Sequence, residues 1–355
     1  MYNQPMKFRS LLLTWIGGAA LSLFCADHCA IADPALGLPV QDAQVPPGEI
    51  ALGRTLFMDP LLSFDDVMAC ASCHVPEYGF ALNGAPTAFG RGGKPLRRNA
   101  PGLLNVGLSS PLFRDGRVAS LEQQVWGPLL NEDEMWNPSP EAVAGRLRAM
   151  PAYRGLFRQV FGEDPSPRTI ARALSSFERS LVAADSRFDR WFYGKRADVL
   201  TSEEQAGFSV FQWSGCDACH RIGASHATFT DNRFHNIGHG YARARGELGK
   251  SLPLQDYGRM EVTNERAQKW MFRTPTLRNI ALTGPYMHDG SLESLRDVVD
   301  WYNDGGGSDP GRDPLLRRLG LNELQKRQLM AFLRSLTSEN AAHLAKEARA
   351  VKLPR

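Results

Sequence analysis

Cysteine is scarce in this chain, six in 355 residues, too few for the disulfide-dense scaffold of a small secreted domain. Charge of one sign is lacking too. Its 41 basic and 38 acidic residues leave a net charge of +3, so nothing points to a nucleic-acid partner. After residue 24 no apolar run is long enough to span a bilayer. No long run alternates apolar and polar residues as a half-buried strand would, which predicts a mainly α fold. Histidine is thin as well, with none between His74 and His220.

The N-terminus reads as a secretory signal. Lys7 and Arg9 give it a positive start, residues 11–24 are mostly apolar, and Ala30-Ile31-Ala32 is a small-residue cleavage site with the cut after Ala32. A retained membrane anchor is the alternative, but the segment is short and broken by Gly17, Gly18 and Ser22. Cleavage removes Cys25 and Cys29, and with Lys7, Arg9 and Asp27 gone the net charge becomes +2. The four remaining cysteines leave no structural disulfide to expect, and no stable membrane insertion is expected after cleavage.

Those four cysteines sit in two runs, Cys70-Ala-Ser-Cys73-His74 and Cys216-Asp-Ala-Cys219-His220. Each has the pattern for covalent haem attachment: two thiols spaced to form thioethers with one porphyrin, and a histidine that reaches the iron. Random placement of these cysteines and histidines predicts about 0.002 such matches per chain. A zinc ribbon or a thioredoxin-like pair also uses Cys-x-x-Cys. The adjacent histidine and the 146-residue separation disfavour one compact Cys₄ site. Two covalent haem c groups are therefore predicted, and with them export to the periplasm.

Residues 33–355 suffice for two domains with sizeable cores. Residues 142–150 and 169–192 read as helices, the second carrying a stripe of Ile170, Leu174, Phe177, Leu181 and Phe188. Ser202 opens another helix that leads into the second haem run, and Ser291 is expected to cap a helix running to Tyr302. A domain boundary is placed between residues 185 and 201. No internal repeat is evident beyond the two haem runs. The tail after Ser338 reads as a solvated helix or a frayed end.

Further segments carry a family resemblance: Arg98-Asn99-Ala100-Pro101, Phe113-Arg114-Asp115-Gly116-Arg117, Gly127-Pro128 with Glu134-Met135, the run from Phe229 to Gly238, and Pro275-Thr-Leu-Arg-Asn279 leading into Pro285-Tyr-Met-His-Asp-Gly290. With the haem runs they resemble the bacterial diheme cytochrome c peroxidase family, including its MauG branch. The resemblance implies two helical cytochrome c-like domains, each with one haem. Residues 33–190 would form the peroxidatic domain and 191–338 the electron-transfer domain, with 339–355 as a tail. His74 and His220 would be proximal iron ligands, and a calcium ion would lie at the interface on Asn99 and the carbonyls of Thr283 and Pro285.

The same resemblance directs attention to the far face of each iron. Typical members place a removable histidine where this chain has Gly90-Arg91-Gly92, so the first haem is expected to be open to peroxide. At the second haem, the position of a common methionine ligand is Tyr302, as in the MauG branch, with Met271 and Met287 as rival sulfurs. Tyr302 is expected to ligate the second iron, where an anionic oxygen favours its oxidised states. Glu134 matches a distal carboxylate that can shuttle a proton across a peroxide, and Gln124 and Arg114 join it as candidate catalytic residues. Arg114 departs from the tryptophan usual at its position, which could pass an electron as a guanidinium cannot. Trp126 is a possible substitute, though helix packing is its ordinary role. His235 and His288 are read as haem-environment or propionate-bonding residues, His226 and His239 as loop histidines.

The predicted activity is a periplasmic diheme peroxidase, reducing hydrogen peroxide with electrons from a small redox protein. The alternatives are an oxidase that modifies a partner protein and a non-enzymatic diheme electron carrier.

Overall fold

Helices dominate the computed structural model, which describes Met1 and residues 35–40, 45–248 and 255–354. The signal segment and its cleavage site lie outside the described residues. The one strand pair among the described residues is short, Phe234–His235 antiparallel to Phe272–Arg273. No helix among the described residues is long and apolar enough to cross a membrane.

The apolar residues condense into two cores. One gathers Leu56, Phe57, Tyr153, Phe157, Leu174 and Phe177, and the other Phe188, Phe208, Phe211, Phe229 and Phe332. Each core is built around a close helix crossing. Pro47–Met58 packs on Pro167–Ser180, and Ser202–Trp213 packs on Glu323–Ser335. A glycine makes each crossing possible: a Cβ on Gly53 would stand 1.9 Å from the Ala173 carbonyl oxygen, and one on Gly207 would stand 1.9 Å from that of Gln328. Gly207→Ala is thus expected to push the second helix pair apart at a cost of about 1–3 kcal/mol. The spectrum of a haem attached at Cys216 and Cys219 would then change, while that of one attached at Cys70 and Cys73 would not.

The correspondence between the halves extends well beyond the haem runs, contrary to the sequence reading. Pro101, Leu103, Asn105, Asp115, Gly116, Ser120, Leu121 and Val125 each recur 174 residues later, as Pro275, Leu277, Asn279, Asp289, Gly290, Ser294, Leu295 and Val299. The backbone repeats with them. Asn105 and Asn279 are both left-handed, at φ 63° and 60°, and their N–H groups donate to the carbonyls of Leu181 and Leu336. Asn105 Oδ1 accepts from Ala183 N at 2.9 Å, and Asn279 Oδ1 accepts from Ser338 N at 2.8 Å. The repeat is masked in sequence by 25 extra residues between Phe229 and Pro275 relative to Phe80 and Pro101.

Several helix boundaries differ from expectation, each because a better cap lies nearby. The predicted 169–192 helix is two, Pro167–Ser180 and Arg187–Phe192. Between them Asp185 is left-handed at φ 59°, and Ser186 and Asp189 form a reciprocal capping box. Phe188 consequently joins the second core, whereas Leu181 stays in the first. Thr201, not Ser202, caps the next helix, because Glu204 stands three residues on and closes the box. Ser294 with Asp297 caps Leu295–Asn303, and Leu292 instead bridges Tyr286. The tail forms the helix Ala341–Arg349, whose Ala341 and Ala348 pack into the first core.

Candidate functional site

Each haem run lies between the members of its helix pair in the chain, and the loop after it fixes the histidine. His74 Nδ1 lies 3.0 Å from the carbonyl oxygens of Phe80 and of Pro101. His220 Nδ1 lies 2.9 Å from the carbonyl oxygen of Phe229, with Pro275 as a second carbonyl neighbour. A carbonyl can only accept, so Nδ1 carries the proton in both rings and Nε2 is left to a metal. Phe80 and Phe229 are both fully buried and left-handed, at φ 57° and 51°, which turns their carbonyls toward the imidazoles. Burial lowers the pKa of both histidines, keeping them neutral as iron ligation requires. Thiols, imidazole orientation and protonation thus suit haem attachment at both runs.

The first run opens on a cleft lined by Cys70, Cys73, His74, Gln124, Pro128 and Glu134. Of the acidic loop 132–134, Glu132 and Asp133 are exposed, and Glu134 turns inward. Its Oε1 accepts from Asn131 Nδ2 at 2.8 Å, yet burial raises its pKa above the ordinary carboxylate value. Burial followed by the Glu134 charge pushes the Cys73 thiol up to about 11, which places the carboxylate near the attachment point. In the haem-loaded protein that sulfur is a neutral thioether. Arg91 is exposed, its guanidinium 3.2 Å from the Trp136 ring centroid, so the Gly90-Arg91-Gly92 loop offers the cleft no basic nitrogen.

Glu178 was missed by sequence reasoning. It lines the same cleft from the Pro167–Ser180 helix, is 6% exposed, and has an unpartnered Oε2. Burial pushes its pKa up to about 8, so the carboxyl is mostly protonated at neutral pH. The only available sequence signal was an acid on an otherwise apolar helix face. Met68 and Met135 also reach the cleft wall, Met135 as part of the first core.

Tyr302 lies on Leu295–Asn303, and burial followed by the charges of Cys216 and Cys219 raises its phenol pKa. The phenol thus lies within range of the Cys216 and Cys219 charges, and its hydroxyl makes no hydrogen bond among the described residues. In the 174-residue repeat, the position equivalent to Tyr302 is Pro128. The two halves therefore present a phenol oxygen and a pyrrolidine ring at matching places, and the latter has no ligand atom.

Arg114 does not line the first cleft. Its Nη2 donates to Asn99 Oδ1 at 2.9 Å and its Nε to the Asn99 carbonyl at 3.3 Å. Burial, then Arg98 and Arg273, lower its pKa to about 10, which leaves it charged at neutral pH. The donor set expected for calcium therefore does not fit a divalent cation, although Thr283 does lie beside Gly79 and Gly102 near the Asn99 loop. Two unit charges about 4 Å apart repel by about 4 kcal/mol at an effective dielectric of 20, and a divalent ion doubles that.

Other expectations change as well. His235 is held between Asp313, 2.6 Å from Nδ1, and Asp231, 3.0 Å from Nε2, so both nitrogens are taken and it is not free to bond a propionate. The Cys219 thiol, then Asp313 and Asp231, push its pKa up to about 10, and the carboxylates remain when the sulfur is a thioether. His239 is not a loop residue. It starts the helix His239–Ala244, is buried, and has Nε2 2.8 Å from Ser291 Oγ. His288 stacks on Phe272 with ring centres 4.0 Å apart. Trp126 packs against the first core and lines a depression beside Arg172 and Arg179.

Residues 47–197 match the family model described as di-haem cytochrome c peroxidase. The chain is 39% identical to a methylamine utilization protein MauG of Methylorubrum extorquens, over 83% of this chain and 80% of that one. It is 34% identical to a cytochrome c551 peroxidase of Nitrosomonas europaea, covering 81% and 79%. Among solved structures, the diheme peroxidase BthA of Burkholderia thailandensis is similar at a TM-score of 0.73 and 26% identity, covering 89% of this chain and 92% of that one.

Proposed function

The chain belongs to the bacterial di-haem cytochrome c peroxidase family, in its MauG-like branch, and from that premise we propose a periplasmic enzyme that reduces hydrogen peroxide beside His74. Haem at each attachment run supplies the redox-active iron. Each half is read as one cytochrome c-like unit, peroxidatic in the first and electron-transferring in the second. The observation that carries this reading is the inequality of the repeat: Pro128 in one half, Tyr302 in the other.

In the first half, His74 Nε2 would hold the iron, with Nδ1–H pinned by two carbonyls. Glu134, on the wall of the same cleft, would accept a proton from one peroxide oxygen and return it to the other, while a haem bound there would supply the electrons for cleavage. The Gln124 amide, on the same cleft wall, is placed to hydrogen-bond the peroxide. In the second half, Tyr302 would supply the oxygen ligand, as a phenolate once the positive charge of a bound iron offset the burial that keeps its phenol protonated. Such an oxygen would favour the oxidised states of a bound iron and so suit the second half to holding an oxidising equivalent. Electrons return from a small periplasmic redox protein or from an oxidisable protein substrate.

An electron carrier would need a ligand opposite His74, and Pro128 provides none. The test is electron paramagnetic resonance of the ferric protein. A high-spin signal from the His74 haem is expected, and it should disappear when peroxide is added. Low-spin signals alone, unchanged by peroxide, would reject the peroxidase reading. Turnover with a reduced small cytochrome or copper protein, against crosslinking of a partner protein, then separates peroxidase from protein-modifying oxidase.

A further inference from the structure

We infer that the Arg114 guanidinium is a resident cation that takes the place of a divalent ion beside Asn99. Two independent oxygens of Asn99, the side-chain Oδ1 and the main-chain carbonyl, already accept from this one guanidinium. The remaining polar groups of Asn99 are engaged elsewhere, with Nδ2 donating to the Pro86 carbonyl at 3.0 Å and N donating to the His288 carbonyl at 2.8 Å. The Arg114 carbonyl in turn accepts from Arg273 N at 2.7 Å. Arg114 thus joins the segments around Asn99 and Arg273, and Asn99 in turn holds that around His288, so the connections span both halves of the repeat. That is the bridging work a metal ion bound by loop oxygens would do.

The surrounding charges agree. Arg98 is matched by Asp256 on one side and Asp115 on the other, with contacts of 2.6 and 2.5 Å. Arg114, by contrast, bonds only neutral oxygens among the described residues, while the more distant Asp289 and Asp256 favour its charge. An added divalent ion would meet Arg114, Arg98 and Arg273 together. The repeat shows that this cation is particular to position 114, because its counterpart 174 residues later is His288. Burial lowers the pKa of that imidazole to about 3 and so keeps it neutral.

A guanidinium cannot be removed by a chelator, and this makes the inference testable on the protein with both haems in place. After passage through calcium-containing buffer and desalting, elemental analysis of the wild type should find no stoichiometric calcium. A calcium chelator should leave the haem absorption and resonance spectra unchanged. About one calcium per chain, or spectra that change on chelation, would overturn the inference.

Arg114→Gln removes the charge and frees both Asn99 oxygens, so the haem-loaded variant is expected to gain about one calcium per chain and chelator-sensitive spectra. Arg114→Lys, which keeps the charge, should stay calcium-free. A folded, haem-loaded Arg114→Gln that takes up no calcium, or an Arg114→Lys that takes it up, would sink the idea. If Arg114→Gln fails to fold, the wild-type calcium content still decides the matter.

Discussion

Glu134→Gln lowers the rate of peroxide cleavage by roughly 10²–10⁴-fold, the usual worth of a positioned proton shuttle. Glutamine keeps the shape and can still pair with Asn131, which bonds Glu134 Oε1 at 2.8 Å, but it cannot carry a proton from one peroxide oxygen to the other. The pH profile distinguishes this loss from a packing defect. The ionised carboxylate is the form that accepts the first proton, so kcat/KM falls as pH drops through its pKa, by about tenfold per unit. Because burial raises that pKa, the acid limb should lie above the ordinary glutamate range, and in Glu134→Gln it should vanish. Glu132→Gln, on the exposed side of the same loop, should change neither rate nor profile. Stopped-flow measurement of peroxide-induced spectral change across pH checks both, and an unaltered acid limb in Glu134→Gln would remove Glu134 from the mechanism.

The haem runs and the mainly helical fold were legible in sequence because each rests on short-range spacing, whereas Glu134 was singled out from its acidic neighbours by the family resemblance. Cys-x-x-Cys-His is local chemistry, and the apolar stripe of Ile170, Leu174 and Phe177 is local periodicity. Long-range consequences were less visible. The 174-residue repeat was hidden because the second half lengthens between Phe229 and Pro275, which breaks any constant offset from the haem runs. The segment after Ser180 is capped by Ser186 and Asp189 and is also held by Asn105 on Ala183, a contact across 78 positions. Glu178 looks like an ordinary helix acid until the fold buries it against the cleft. Arg114 was noticed as a missing tryptophan, yet its hold on Asn99 is a tertiary fact. His235 likewise shows both its carboxylates only once residues 231 and 313 are brought together.

Tyr302→Phe should abolish the low-spin ferric signal of the second haem and replace it with a high-spin one. The substitution keeps the ring and removes only the hydroxyl, which has no hydrogen-bond partner among the described residues, so no protein group is left unsatisfied. Loss of an anionic oxygen destabilises the oxidised state, and the potential of that haem should rise by more than the ~59 mV that marks a tenfold change in a one-electron couple. Tyr302→Met sharpens the argument: a thioether favours ferrous iron, so it should restore a low-spin signal at a still higher potential. The first haem should keep its spectrum in both variants, because its counterpart position is Pro128 and makes no iron bond to lose. Peroxide should therefore still react at the first haem, while storage of the second oxidising equivalent fails. If the wild-type low-spin signal survives in Tyr302→Phe, the ligand is another side chain, with Met271 and Met287 the next to replace, and the two halves differ for some reason other than the phenol.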